Sequence, residues 1–237
     1  MPAIYYGGYD ISYILILIPV LIFSLWAQTS VTGTFNKYNR VTNKRRMTGY
    51  DAARMILDRN GLYHVQIEHI SGNLTDHYDP KANVVRLSDS VYNTPSIAAV
   101  GVAAHEAGHA VQYATGYGPI RLRASIVSLT QFASKWAIYI LLFGILLSYG
   151  ALAYVGFWLY AVVAFFQLVT LPVEFNASRR AIDALEGGGT LDREELSGAK
   201  KVLSAAAMTY VAALLSALVQ LLRLWAIVSS SDNRRRR

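Results

Sequence analysis

Apolar positions gather into three long runs that contain no charged side chain. The first, Ile11 to Ala27 (ISYILILIPVLIFSLWA), is 17 residues long. Tyr5, Tyr6, Tyr9 and Tyr13 lead into it and Trp26 closes it, where aromatic rings sit at a membrane interface. The chain's first ten residues hold no Lys or Arg and no A-x-A site follows the run, so it reads as a retained anchor rather than a cleaved signal peptide. The second run, Trp136 to Val173, is 38 residues long. One straight helix of that length would reach about 57 Å, roughly twice the hydrocarbon core. The run therefore predicts two helices that turn near Ser148-Tyr149-Gly150. The third, Val202 to Leu222, is 21 residues long, Ala-rich, and interrupted at Arg223.

The segments between the runs change period. Thr48-Gly49-Tyr50-Asp51 resembles a capping box, Ala52, Met55 and Ile56 follow at helical spacing, and Gly61 marks a stop. Val65 to Glu68 alternates like a short strand. Leu74 to Asp79, a Pro80–Asn83 turn and Val84 to Leu87 predict a β-hairpin. Thr94, with Pro95 at the first helical position, predicts the start of a helix that runs through SIAAVGVAAHEAGHAVQYATG and ends near Gly116. The expected fold is a mainly α integral membrane protein, with about four transmembrane helices and a small α+β zincin-like catalytic portion. The expected divisions are an N-terminal anchor over 1–29, a catalytic segment over 30–135, a transmembrane hairpin over 136–172, a helical segment over 173–202 bearing a further ligand, a C-terminal transmembrane helix over 203–228 and a basic tail over 229–237.

Composition agrees with a membrane location. Charged residues are 16% of the chain, against about 25% in soluble domains. The absence of cysteine excludes disulfides, Cys-ligated zinc, iron–sulfur clusters and a thiol nucleophile, so a metal site must use His, Asp and Glu. The net charge of +7 clusters beside the apolar runs. With no groove-reading or stacking motif beside it, this charge speaks for a lipid bilayer rather than nucleic acid. Residues 28–135 hold 12 Lys/Arg, residues 174–201 hold five and the first ten hold none. The positive-inside rule then predicts a multi-pass cell-membrane protein with its N-terminus outside and the catalytic segment in the cytoplasm. Four crossings would put Arg234–Arg237 outside, against the same rule. Either the last run does not cross, or the earlier charges outweigh the tail.

The chemistry concentrates in His105-Glu106-Ala107-Gly108-His109. On a helix, residues four apart share a face, so two imidazoles can converge on one Zn2+ while the intervening glutamate reaches a water beside it. Five His and six Glu in 237 positions would produce this pattern by chance roughly 0.003 times. A catalytic zinc takes a third protein ligand. His64, His69 and His77 lie upstream. Glu174, in LPVEFNAS, is the first charge after the 38-residue run, at the membrane boundary, where a carboxylate needs a cation. Small residues recur after it at Ala177, Ser178 and Ala181 and allow close helix packing. Asp183 and Glu186 read as solvated charges.

The stretches MTGYDAARMILDRNGL, LTDHYDP, VRLS, AAVGVAAHEAGHAVQ and LPVEFNAS resemble the YugP-like family of membrane zinc metallopeptidases. The order of HExxH, hydrophobic hairpin and glutamate is also similar to HtpX-like and CAAX-type membrane proteases. The resemblance implies that His105 and His109 bind Zn2+, that Glu106 is the catalytic base and that Glu174 is the third ligand. Related enzymes often place an Asp four residues after that glutamate, as a partner to a ligand. Ser178 stands there in this chain, with Asn176 nearby.

The expected activity is zinc-dependent hydrolysis of peptide bonds, with a peptide or a membrane protein as substrate. If the predicted hairpin offers a sheet edge to the substrate, His77 or Tyr78 would lie near the developing oxyanion. A site-2-type intramembrane protease would take an Asp ligand from within a span, and a transporter would carry ionisable residues there. The runs contain neither. A non-catalytic metal-binding scaffold would not need Glu106. The oligomeric state is not specified by any of these features.

Overall fold

The computed structural model describes residues 5, 6 and 9–235, with side chains described from Tyr13 to Ser230. The interfacial role expected of the Tyr5, Tyr6 and Tyr9 rings, and the basic tail's Arg234–Arg237 side chains, lie outside the described residues. Two short antiparallel strands, β1 (Tyr5–Tyr6) and β2 (Tyr9–Asp10), precede helix α1 (Ile11–Asn39). Next come α2 (Gly49–Arg59), β3 (Gln66–Ile70), β4 (His77–Asp79), β5 (Val84–Ser88) and α3 (Ile97–Ala114). The chain closes with α4 (Gly118–Leu146), α5 (Gly150–Gly187) and α6 (Arg193–Arg235). Among the described residues, four helices are long and apolar enough to cross a membrane: Tyr13–Asn39, Gly118–Leu146, Gly150–Gly187 and Arg193–Ser230. They extend well past the uncharged runs, because backbone hydrogen bonding does not stop at a charged side chain.

The chain divides into two compact units, with boundaries near Trp26, Arg121, Leu171 and Thr209. The first unit holds the apolar stretches of α1, α4, α5 and α6. The predicted turn is present as a three-residue link in which Ser148 adopts a positive φ of 53°. In this unit Gly156 packs so tightly on α4 that a Cβ there would collide with the Leu141 backbone nitrogen. Such small-residue contact is how helices associate when lipid removes the hydrophobic difference between inside and outside. Leu141, Ala153, Leu224 and Val228 form its buried centre, while Leu142, Phe143, Trp158 and Leu168 point outward. Arg223, which interrupts the third run, lies 5.0 Å from the centre of the Tyr13 ring.

The second unit holds α2, the sheet, α3 and the remaining ends of the long helices. Thr48 and Asp51 make the reciprocal bonds of a capping box at the start of α2, and Gly61 follows its end with φ of 72°. The predicted hairpin is β4–β5, in register His77↔Arg86, but its first strand begins at His77 rather than Leu74. Leu74 has a positive φ of 55°, which takes it out of the extended region. Strand β3 pairs with β5 in parallel, so the order is β3-β5-β4 and β4 is an edge. The predicted cap of α3 also moves. Ser96, not Thr94, accepts the Ala99 N–H, and the Pro95 carbonyl is taken by Asn43 N–H at 3.0 Å. The core of this unit is built on Ala- and Gly-rich α3, with Ala99, Val100, Ala103, Ala104 and Ala107 fully buried.

Candidate metal centre

The small residues of α3 let α5 approach closely. A Cβ on Gly108 would stand 2.9 Å from the Ala177 carbonyl oxygen. Val173, Ala177, Ala181 and Leu185 of α5 are fully buried, a helical stripe one face wide. Glu174 is carried beside that stripe and is itself buried, its side chain only 3% exposed.

His105 and His109 lie one turn apart on α3 with ring centroids 4.7 Å apart and planes at 85°. His105 Nε2 is 3.2 Å and His109 Nε2 3.5 Å from Glu174 Oε2. One ligand atom from each of the three residues falls within 4.8 Å of the others. Among the described residues this is the group of His, Asp and Glu that converges in this way. His69 instead pairs with Asp89 at 2.7 Å, and His77 Nδ1 donates to the Thr75 carbonyl at 2.8 Å.

The far ring nitrogens are also engaged. His105 Nδ1 is 3.1 Å from Ser178 Oγ, and His109 Nδ1 is 2.9 Å from Gln112 Oε1. Ser178, four residues after Glu174, thus contacts His105 from the side away from Glu174. Burial by itself would pull the His109 pKa down. Glu174, Glu106 and Gln112 outweigh it, and the value lies above that of an ordinary histidine.

Glu106 is near enough to His109 to act on it electrostatically, and its Oε2 accepts the Tyr78 backbone N–H at 3.1 Å. That N–H is on the side of β4 that β5 does not occupy. The Tyr78 hydroxyl donates to Asn83 Oδ1 at 2.7 Å, and its ring packs on Tyr113 with centroids 5.6 Å apart. Asp76 accepts the N–H and hydroxyl of Ser88 at 2.7 and 2.9 Å, which ties the start of the hairpin down. Burial raises the Asp76 carboxyl above its usual range.

The sequence matches, over residues 13–229, the family described as "Putative neutral zinc metallopeptidase". The chain belongs to this family. It is also 48% identical over 211 residues to the "Putative membrane protease YugP" of Bacillus subtilis (strain 168), covering 89% of this chain and 94% of that one. No solved structure matches it.

The residues present suit the family's metal. Two imidazoles and a carboxylate are a usual donor set for catalytic zinc, with a coordination position left over. Both imidazoles turn Nε2 toward the carboxylate while Nδ1 is held from behind, the arrangement that orients a metal-binding histidine. Sequence reasoning missed two participants, Gln112 and the Tyr78 backbone N–H. Gln112 stands three residues after His109, so its helical face was legible. The Tyr78 contact depends on where the hairpin lies against α3, for which the sequence carries no local signal.

Proposed function

We propose that this chain is a membrane-embedded zinc endopeptidase of the zincin type. In this reading His105, His109 and Glu174 hold the metal and Glu106 is the general base. It cleaves peptide bonds of membrane or membrane-proximal proteins on the cytoplasmic side. The observation that carries the proposal is the convergence of the three side chains, brought from α3 and α5, with Glu106 beside them. Zinc bound there supplies Lewis acidity toward water and a peptide carbonyl.

The protein's own groups do the rest. Glu106 takes a proton from water and passes it to the leaving amine, a role that needs a carboxylate within hydrogen-bond reach of the reacting atoms. Ser178 and Gln112 hold the imidazoles in place, so the site is ordered before substrate arrives. The edge of β4 that β5 does not pair offers backbone groups on which an extended substrate can lie as an added strand. A strand at that edge runs past Glu106, whose present partner is the Tyr78 N–H on the same edge. In this arrangement the Tyr78 phenol, already committed to Asn83, contributes packing. His77 Nδ1 is held by a carbonyl, so His77 donates toward an oxyanion from Nε2 only when charged.

The test is Glu106→Gln. This variant keeps the shape of the side chain but removes the base. The detergent-purified protein should fold and bind zinc as the unchanged chain does, and lose proteolysis by at least about 10²-fold. Undiminished cleavage by this variant would overturn the mechanism.

A further inference from the structure

Gln112 is fully buried, and both ends of its amide are used. Its Oε1 faces His109 Nδ1 at 2.9 Å. Its Nε2 donates to the Val173 carbonyl at 2.8 Å and to Asn176 Oδ1 at 3.0 Å. The orientation of an amide is often ambiguous, because its oxygen and nitrogen look alike. Here the neighbours decide it. A backbone carbonyl only accepts, so the group facing Val173 must be the NH2. Asn176 agrees, since its Oδ1 also receives the Arg180 Nε–H at 2.8 Å and is thereby fixed as an acceptor.

Once the NH2 is placed, the Gln112 oxygen must face His109. An amide oxygen only accepts, so Nδ1 carries a proton, and a neutral ring then keeps the Nε2 lone pair free for a cation beside Glu174. The carbonyl that sets this orientation belongs to the residue immediately before Glu174. A single side chain therefore couples the tautomer of one histidine to the turn of α5 that carries the carboxylate.

We propose that Gln112 is a positioning residue of the metal centre, which fixes the His109 tautomer and tethers the Glu174 turn to α3 at metal-binding distance. The proposal rests on the reading of His109 and Glu174 as zinc ligands. Packing alone does not account for Gln112. A buried apolar side chain of the same length would fill the space but leave the Nδ1–H without an acceptor, and buried donors are rarely left so.

Zinc affinity, measured on the full-length detergent-purified protein by competition with a chelator, tests this in five variants. His109→Ala and Glu174→Ala examine the ligands. Gln112→Met keeps the length and removes every hydrogen bond. Gln112→Glu keeps an oxygen toward His109 and, when protonated, a donor toward Val173. Gln112→Leu serves as a second apolar control. The expected result is loss of tight zinc binding in both ligand variants, a 10- to 100-fold weakening in Gln112→Met and Gln112→Leu, and recovery to within about threefold of the unchanged protein in Gln112→Glu.

If the ligand variants bind zinc normally, the metal reading itself falls. If they lose zinc while Gln112→Met binds as tightly as the unchanged protein, that reading stands and the Gln112 proposal alone is overturned. Equal weakening in Gln112→Met and Gln112→Glu would leave Gln112 as packing and would also overturn it. Should the apolar variants fail to fold, Gln112→Glu decides alone: a tenfold or greater loss goes against the proposal, and near-normal affinity supports it.

Discussion

Replacing Gly108 with alanine sets two effects against each other. Alanine is favoured over glycine inside a helix by about 1 kcal/mol, so α3 considered alone would gain. The added Cβ, however, would sit 2.9 Å from the Ala177 carbonyl oxygen, where ordinary contact begins near 3.4 Å. The obstacle is backbone, so α3 and α5 must separate by about 0.5 Å, and overpacking of this kind costs about 1–3 kcal/mol. The net expectation is a loss of about 0–2 kcal/mol. The larger consequence is geometric. Metal ligands tolerate about 0.2 Å, and a shift of more than twice that would pull Glu174 away from both histidines. Gly33 provides the control, since it lies in α1 with nothing within 4 Å of its would-be Cβ. Gly33→Ala should stabilise by about 1 kcal/mol and leave zinc affinity unchanged. Thermal unfolding in detergent and chelator competition read both quantities, and Gly108→Ala should lower zinc affinity about 10- to 100-fold. If Gly108→Ala stabilises as much as Gly33→Ala and keeps its zinc, the close approach is not what places the carboxylate.

Asp79 is held down to about 2 by the Arg86 guanidinium at 2.7 Å and by two backbone N–H groups. Its unfolded value is about 3.9, so its stabilising contribution is complete above that pH and fades as pH falls toward the folded value. The protection of the β4–β5 amides, taken relative to their intrinsic exchange rate at each pH, should therefore be constant above about pH 4 and fall below it, and Arg86→Gln should flatten that acid response. A cysteine placed at Asn83, in the hairpin turn, should react with an impermeant reagent only after the cytoplasmic side is opened; labelling of intact cells would reverse the proposed orientation. His77→Ala should reduce turnover about 10²-fold while sparing zinc affinity if its ring faces the oxyanion. Loss of zinc in that variant would make His77 a ligand, and no effect would leave it structural.

Much of this was legible because the signals were local. The HExxH spacing places two imidazoles on one face of any helix, and the Thr48–Asp51 pair announces its own cap. The Ser148 turn follows from the length of an uncharged run that one helix cannot use. What escaped was non-local or competitive. The parallel pairing of β3 with β5 joins segments separated by the β4 strand, so no turn between them announces it. Thr94 and Ser96 are both plausible caps, and the choice fell to the second because Asn43, far away in sequence, claims the Pro95 carbonyl. The helices overrun the hydropathy boundaries because hydropathy reports solvent and not backbone geometry. Gln112 is visible as a position on the ligand face, but its role depends on a carbonyl in α5 that only folding brings near.

The order of the three converging residues along the chain has a consequence for timing. His109 leaves the ribosome 65 positions ahead of Glu174, and His105 four earlier still, with the apolar stretches of α4 and α5 between them. At about 5–20 residues per second, the histidine pair waits roughly 3–13 s for its carboxylate. In the proposed reading the nascent chain offers only two of its three ligands during that interval. If the three side chains bind one metal as proposed, the centre can close only when the last turns of α5 are made.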